Sequence, residues 1–120
     1  MPAVAQLTVY EKRSCTTCSK LAALLEERGI EFERVDFHVE PLSREQLAEL
    51  VRKTRRPARE LFRAGEPIYG ELSLGEREVA DEEALDLMAE HPELLQRPVI
   101  ERGDRAVLGR PIERVDEVLR

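Results

Sequence analysis

The fold is decided by one stretch near the start of the chain, Leu7–Cys18, which reads LTVYEKRSCTTC. Leu7, Val9 and Tyr10 form a short run typical of a β-strand, and we expect that strand to end where the polar residues begin at Glu11. Leucines then recur at helical spacing until a glycine, so a helix begins at the two cysteines. The stretch therefore predicts a strand, a polar loop and a helix, with a C-x-x-C pair at the start of the helix.

A second β-prone run follows this helix and contains Ile30, Phe32, Val35 and Phe37. The chain between the two strands has room for one crossover helix, which predicts a parallel β-α-β unit. Further along, two short β-prone runs flank Arg102-Gly103-Asp104, and residues of that kind favour the turn of a hairpin. An amphipathic helix is expected to close the chain.

The segment between the β-α-β unit and the hairpin is predicted to contain three helices. They are expected over residues 43–53, 57–63 and 81–91. Ser43 and Gln46 have the spacing of a capping box for the first helix. Pro57 suits the first position of the second helix, and Asp81 offers a capping oxygen for the third. The whole order, β-α-β, helical insertion and β-β-α, predicts an α/β thioredoxin-like fold with a mixed four-stranded sheet, as one domain over residues 1–120.

Charge and hydropathy exclude several function classes. Lys and Arg number 19 against 25 Asp and Glu, a net charge of −6, so we expect no direct binding to nucleic acid, which depends on basic residues. No apolar stretch approaches the ~20 residues of a membrane-spanning helix. The first six residues lack the basic and apolar segments of a secretion signal, and two cysteines are too few for a secreted disulfide scaffold. We expect a cytoplasmic protein without membrane contact.

The cysteine pair carries the clearest chemical signal. The reactive form of cysteine is the thiolate, and the free amides at a helix N-terminus stabilise negative charge. Cys15 has this position, and Lys12, Arg13 and Lys20 are cationic neighbours in sequence, so we expect a lowered pKa. Cys18 lies about one helical turn further on, within reach of a disulfide, which makes it a resolving thiol and the less exposed of the two.

Two other interpretations of the cysteines remain open. A C-x-x-C pair can be half of a structural zinc site, but a second such pair is missing and His38 and His91 are far apart in sequence. The cysteines can also be buried bystanders, which is unusual beside a polar loop at a helix start. The sequence favours redox chemistry without a metal.

Two arginines stand apart from the many that are expected at the surface. Arg97 directly precedes Pro98 at the start of a predicted strand, and Arg110 follows the last strand. Pro98 is a candidate for a cis peptide bond, which would turn its loop toward Cys15. Because planar guanidinium groups bind oxyanions well, both arginines are candidates for holding an anion at the thiolate.

Several short segments resemble, in the same order along the chain, the arsenate reductase (ArsC) family and its relative, the transcriptional regulator Spx. They are Leu7–Tyr10, Cys15–Cys18, Glu40–Ser43, Leu61–Arg63, His91–Ile100 and Gly109–Pro111. The resemblance implies the thioredoxin-like fold of ArsC type. In arsenate reductases of this family the first cysteine attacks arsenate and three arginines hold the oxyanion. By motif these residues are Cys15, Arg63, Arg97 and Arg110.

The resemblance also implies that no cofactor is bound and that glutathione, glutaredoxin or thioredoxin supplies the electrons. Two positions differ from the arsenate reductase pattern. Glu11 stands where those enzymes have a histidine, and Cys18 adds the C-x-x-C switch of the Spx-like proteins. With Cys18 present, an internal disulfide would replace glutathione in the first step.

Two alternative functions follow from the same features. An Spx-like regulator would bind the RNA polymerase α subunit and turn over no small substrate, although the glycine-containing docking loop of Spx is replaced here by residues 53–58, which contain none. A general disulfide reductase would act on protein thiols, but such an enzyme has no need of three arginines near its thiolate.

Overall fold

A computed structural model describes residues 7–119. The strands are β1 (Leu7–Glu11), β2 (Phe32–Asp36), β3 (Val99–Arg102) and β4 (Arg105–Leu108). The α-helices are α1 (Thr16–Glu27), α2 (Arg44–Thr54), α3 (Pro67–Glu71), α4 (Asp81–Glu90) and α5 (Asp116–Leu119). Short 3₁₀ helices span Ala58–Leu61, Pro92–Leu94 and Ile112–Val115.

The four strands form one mixed sheet in the order β2-β1-β3-β4. β1 pairs in parallel with β2, where Val9 lies opposite Arg34, and antiparallel with β3, where Val9 lies opposite Ile100. β3 and β4 form the hairpin, and Gly103 in its turn has a φ of 59°, which glycine adopts without strain. The predicted order of β-α-β, helical insertion and β-β-α is confirmed.

The chain divides into two compact units. The sheet unit contains the described residues up to Glu40 and from Arg97 onward, and the insert unit is Pro41–Gln96. The prediction that residues 1–120 form one domain stays a prediction. The core of the sheet unit is apolar and consists of Leu7, Val9, Leu21, Leu25, Ile100, Val107, Val115 and Val118.

Two boundaries in the sheet unit differ from prediction. β1 continues through Glu11, because this residue pairs with Asp36 and its carbonyl accepts a hydrogen bond from the backbone N–H of Phe37 (3.2 Å). The closing helix is a 3₁₀ turn over Ile112–Val115 followed by the short α5. Ile112, Val115 and Val118 are spaced by three positions and face the core. This spacing suits a 3₁₀ turn, in which residues i and i+3 lie on one side.

In the insert unit the capping box of α2 is confirmed. The Ser43 side chain accepts a hydrogen bond from the backbone N–H of Gln46, and the Gln46 side chain accepts one from the backbone N–H of Ser43. The expected helix over 57–63 was wrong in extent, because the structure has only a 3₁₀ turn over Ala58–Leu61. Pro57 occupies the N-cap position before this turn and is not its first helical residue.

The expected cap of α4 was also wrong. Ala80 occupies the cap position and offers no side-chain hydrogen bond. Asp81 is the first helical residue, and its carboxylate instead accepts the backbone N–H of Ala58 at 3.0 Å. The helix nevertheless ends before Pro92, as predicted.

Candidate active site

The loop between β1 and α1 places Cys15 at the N-cap position of α1. Cys15 has extended backbone geometry, and its N–H donates to the carbonyl of Lys12 at 2.9 Å. Its own carbonyl accepts the first helical hydrogen bond, from Ser19 at 3.1 Å. The Cys15 sulfur therefore lies at the helix N-terminus, where unpaired backbone amides and the helix dipole favour negative charge.

The two cysteines are adjacent in space and both are reduced. The backbone N–H of Cys18 donates to the Cys15 sulfur at 3.3 Å. Cys18 is 1% exposed and Cys15 is 6% exposed, so Cys15 is the thiol nearer to solvent. This difference in access is the one that an attacking and a resolving thiol need.

Two arginines flank the Cys15 sulfur. The Arg97 side chain is buried and hydrogen-bonds to Cys15. Nη2 of Arg110 lies 4.0 Å from the same sulfur, while its Nε donates to the Arg97 carbonyl at 2.7 Å. The peptide bonds Arg97–Pro98 and Arg110–Pro111 are both cis; only the first was considered from sequence.

Gly109 allows the segment that carries Arg110 to approach β3. A Cβ added at this position would lie 3.0 Å from side-chain atoms of both Pro98 and Ile100. The backbone N–H of Gly109 also donates to the Pro98 carbonyl at 2.7 Å. The absence of a side chain therefore brings the loops of Arg97 and Arg110 together.

The surroundings of the two thiols shift their pKa values in opposite directions. Burial raises the pKa of Cys15, but hydrogen bonds from Cys18 and the hydrogen bond and charge of Arg97 outweigh it, so the pKa lies below its ordinary value. Burial raises the pKa of Cys18, and the neighbouring Cys15 and Glu11 raise it further. A hydrogen bond from the backbone of Lys12 lowers this pKa but does not outweigh the other effects. Of the two thiols, Cys15 therefore ionises more readily than Cys18.

Comparison with known proteins identifies the family of this chain. The sequence profile of the ArsC family matches residues 10–118. The chain belongs to the ArsC family. It is 30% identical over 115 residues to an arsenate reductase of Neisseria meningitidis, covering 95% of this chain and 98% of the relative. It is also 31% identical over 103 residues to the global transcriptional regulator Spx of Bacillus subtilis, covering 86% and 79%.

The solved structure of an arsenate reductase from Vibrio cholerae superposes on this ArsC-family chain with a TM-score of 0.88. The two chains are 31% identical, and the match covers 97% of this chain and 99% of the other. The thioredoxin-like α/β fold expected from the sequence is therefore confirmed.

The third predicted arginine of this ArsC-family protein, Arg63, belongs to the insert unit. Its backbone N–H donates to the carbonyl of Leu94 at 2.7 Å. Its guanidinium donates to side-chain oxygens of Gln96 (3.1 Å) and Glu66 (3.4 Å). A role for Arg63 in anion binding stays a prediction.

Sequence reasoning missed Asp36, which holds the loop before Cys15. Its carboxylate accepts the backbone N–H of Arg13 at 3.0 Å and that of His38 at 2.9 Å. Burial raises the pKa of Asp36, but these hydrogen bonds outweigh it, so the pKa lies below its ordinary value. The carboxyl ends of neighbouring parallel strands meet at one sheet edge, which could have pointed to this residue.

Between Leu7 and Leu119, no three or more His, Cys, Asp or Glu side chains are grouped so that they could hold a metal ion. Over the same residues, no helix is long and apolar enough to cross a membrane.

Proposed function

We propose that this ArsC-family protein is a cytoplasmic thiol oxidoreductase that reduces arsenate or a similar oxyanion. The observation that carries the proposal is the position of the Cys15 sulfur at the N-terminus of α1, between the guanidinium groups of Arg97 and Arg110. Attack of a thiol on an oxyanion needs an activated thiolate, and it needs cationic groups such as guanidinium that hydrogen-bond to the anion.

In the first step the Cys15 thiolate attacks arsenic(V). A sulfur–arsenic bond forms and one arsenate oxygen leaves as water after protonation. Arg97 and Arg110 hold the remaining oxygens and stabilise the charge that develops on them. Arg63 is proposed as the third guanidinium, in line with its position in the family motif.

In the second step the Cys18 thiol attacks the Cys15 sulfur. A disulfide forms and the sulfur–arsenic bond breaks, with its electron pair leaving on arsenic. Arsenic(V) is thereby reduced to arsenic(III), released as arsenite, and the two thiols are oxidised to one disulfide. Glutathione, glutaredoxin or thioredoxin then returns the disulfide to the dithiol.

The direct test is arsenite formation by the purified protein with each donor system in turn. We expect arsenite to form with thioredoxin and its reductase, because a disulfide is the species that this donor reduces. A second series with glutathione and glutaredoxin identifies the donor. Absence of arsenite with every donor, from protein whose two thiols titrate fully, contradicts the proposal.

A second candidate function is an Spx-like redox sensor that binds the RNA polymerase α subunit. It is favoured by the C-x-x-C pair together with the 31% identity to the B. subtilis regulator. If this function is correct, the amount of purified α subunit that the protein binds should depend on the oxidation state of Cys15 and Cys18. The measurement is a pull-down of the α subunit with the reduced and the oxidised protein side by side. Absence of binding in both states contradicts it.

A further inference from the structure

Glu11 is a carboxylate in a position that the fold otherwise gives to apolar side chains. Alternate residues of β1 are buried, namely Leu7, Val9 and Glu11, and the first two belong to the core with Leu21 and Leu25 of α1. Glu11 is 2% exposed. Burying a carboxylate is costly unless it is paired, so its partners decide what it does there.

Only one half of the Glu11 carboxylate is paired. Oε2 accepts a hydrogen bond from Nε of Arg34 on β2 at 2.9 Å. Oε1 is buried and, within residues 7–119, accepts no hydrogen bond. The structure thus provides a buried carboxylate oxygen with an unused capacity to accept a proton.

The resolving thiol lies on α1, the helix whose buried residues pack with those of β1. Cys18 belongs to the same buried stripe of α1 as Leu21 and Leu25, one turn closer to the helix start. The charge of Glu11 raises the pKa of Cys18 and the backbone N–H of Lys12, the next residue, lowers it, so both groups lie near the Cys18 sulfur. The Cys18 sulfur therefore lies over the end of β1, on the face that carries the Glu11 side chain.

The Glu11 side chain also forms part of the wall of a cavity. A cavity of about 370 Å³ opens beside it within the sheet unit. The cavity is lined by Glu11, Arg13, Arg34, Asp36, Val39 and Glu40. Because Glu11 is part of the cavity wall, we expect a proton taken up by its carboxylate to be released on this side of the sheet unit.

We propose that Glu11 accepts the proton of Cys18 when that thiol attacks the adduct on Cys15. The proposal rests on the internal-disulfide step of the proposed function. As the bond between the two sulfurs forms, the bond between the Cys15 sulfur and the adduct breaks, and its electron pair leaves with the adduct. The Cys18 proton passes to the Glu11 carboxylate and from there to solvent.

The charged and titratable groups around Glu11 come from the loop before α1, from α1, from β2 and from the residues after β2. They are Lys12, Arg13, Cys15, Cys18, Arg34, Asp36, His38 and Glu40. The Arg34 guanidinium donates to Oε2 of Glu11, and the charge of Glu11 is one of the causes that raise the pKa of Cys18.

The test uses the dithiol protein and an aromatic disulfide, dithiobis(nitrobenzoate). The reagent first forms a mixed disulfide on Cys15 and releases one coloured thiolate. Attack by Cys18 then closes the internal disulfide and releases a second, so the two steps are seen as two phases of absorbance. We expect Glu11→Gln to slow the second phase about 10²-fold near neutral pH while leaving the first unchanged. Glu11→Asp should restore part of the rate.

The pH profile separates proton transfer from a merely structural role. In Glu11→Gln the second-phase rate should rise about tenfold per pH unit, because solvent hydroxide must remove the proton, whereas the wild-type rate should rise less steeply. Glu33→Gln, an exposed change on β2, is the matched charge control and should leave both phases unchanged.

Two results would overturn the proposal. A second phase that is unchanged in Glu11→Gln shows that the carboxylate takes no part. A faster second phase shows that its charge only suppresses the Cys18 thiolate. Neither result involves arsenate. If the protein fails to reduce arsenate but shows both absorbance phases, the role of Glu11 is still tested by the second phase. A missing first phase instead contradicts the proposed function, because Cys15 would not be the reactive thiolate.

Discussion

Cys15→Ser is expected to lower arsenite formation by at least about 10³-fold, the largest effect of any single substitution in this chain. A hydroxyl stays protonated at the helix N-terminus under conditions in which the thiol ionises, and it cannot form the sulfur–arsenic bond. The measurement is arsenite produced per protein with the electron donor in excess. Turnover retained in this variant contradicts the assignment of Cys15 as the nucleophile.

Cys18→Ser is the matched substitution, because it removes the other sulfur and leaves Cys15 and both neighbouring arginines in place. It should form the Cys15 adduct and then stop, since no second thiol resolves it. Intact mass should show the adduct accumulating, and added glutathione should release it. Loss of adduct formation in Cys18→Ser would show that Cys18 acts earlier than the resolving step.

Arg97→Gln is expected to have the second largest effect, because it affects both the thiolate and the anion. Without the guanidinium, the pKa of Cys15 should rise, and each unit of rise lowers the thiolate fraction at a given pH by up to about tenfold. The loss of oxyanion contacts should add to this, so that kcat/KM for arsenate falls about 10³-fold in total. The rate of Cys15 alkylation against pH reports the first effect separately.

Two variants serve as controls for Arg97→Gln. Arg110→Gln should lower kcat/KM for arsenate with a smaller shift in the alkylation profile, because Nη2 of Arg110 is 4.0 Å from the sulfur. Arg105→Gln changes an exposed arginine of β4 and should change neither quantity. An unshifted alkylation profile in Arg97→Gln would remove Arg97 as a source of the low pKa of Cys15.

The β-α-β unit and the hairpin could be predicted from the sequence because their apolar residues follow regular spacings. Val9 and Leu7 mark one face of β1, and Leu21 and Leu25 mark the stripe of α1 that covers it. The helix α3 could not be predicted in this way. It has five residues, none of them buried, so it carries no apolar periodicity, and its proline and glycine favour a turn.

The site was predictable where local sequence determines position. The polar loop after β1 indicated that Cys15 begins a helix, and the proline next to Arg97 indicated an unusual turn. The partners of Glu11 were not predictable, because its hydrogen bond to Arg34 depends on the register in which Val9 lies opposite Arg34. Register is a tertiary property, and the sequence alone showed only a charged residue at the end of a strand.

The central claim is that Cys15 attacks an oxyanion and Cys18 resolves the adduct as an internal disulfide. Its most direct test is the intact mass of the fully reduced protein after thiol alkylation, sampled over time with and without arsenate. We predict a rapid, arsenate-dependent loss of both alkylation sites. Two sites that stay open to alkylation in arsenate, in protein whose disulfide closes readily with peroxide, would contradict the claim.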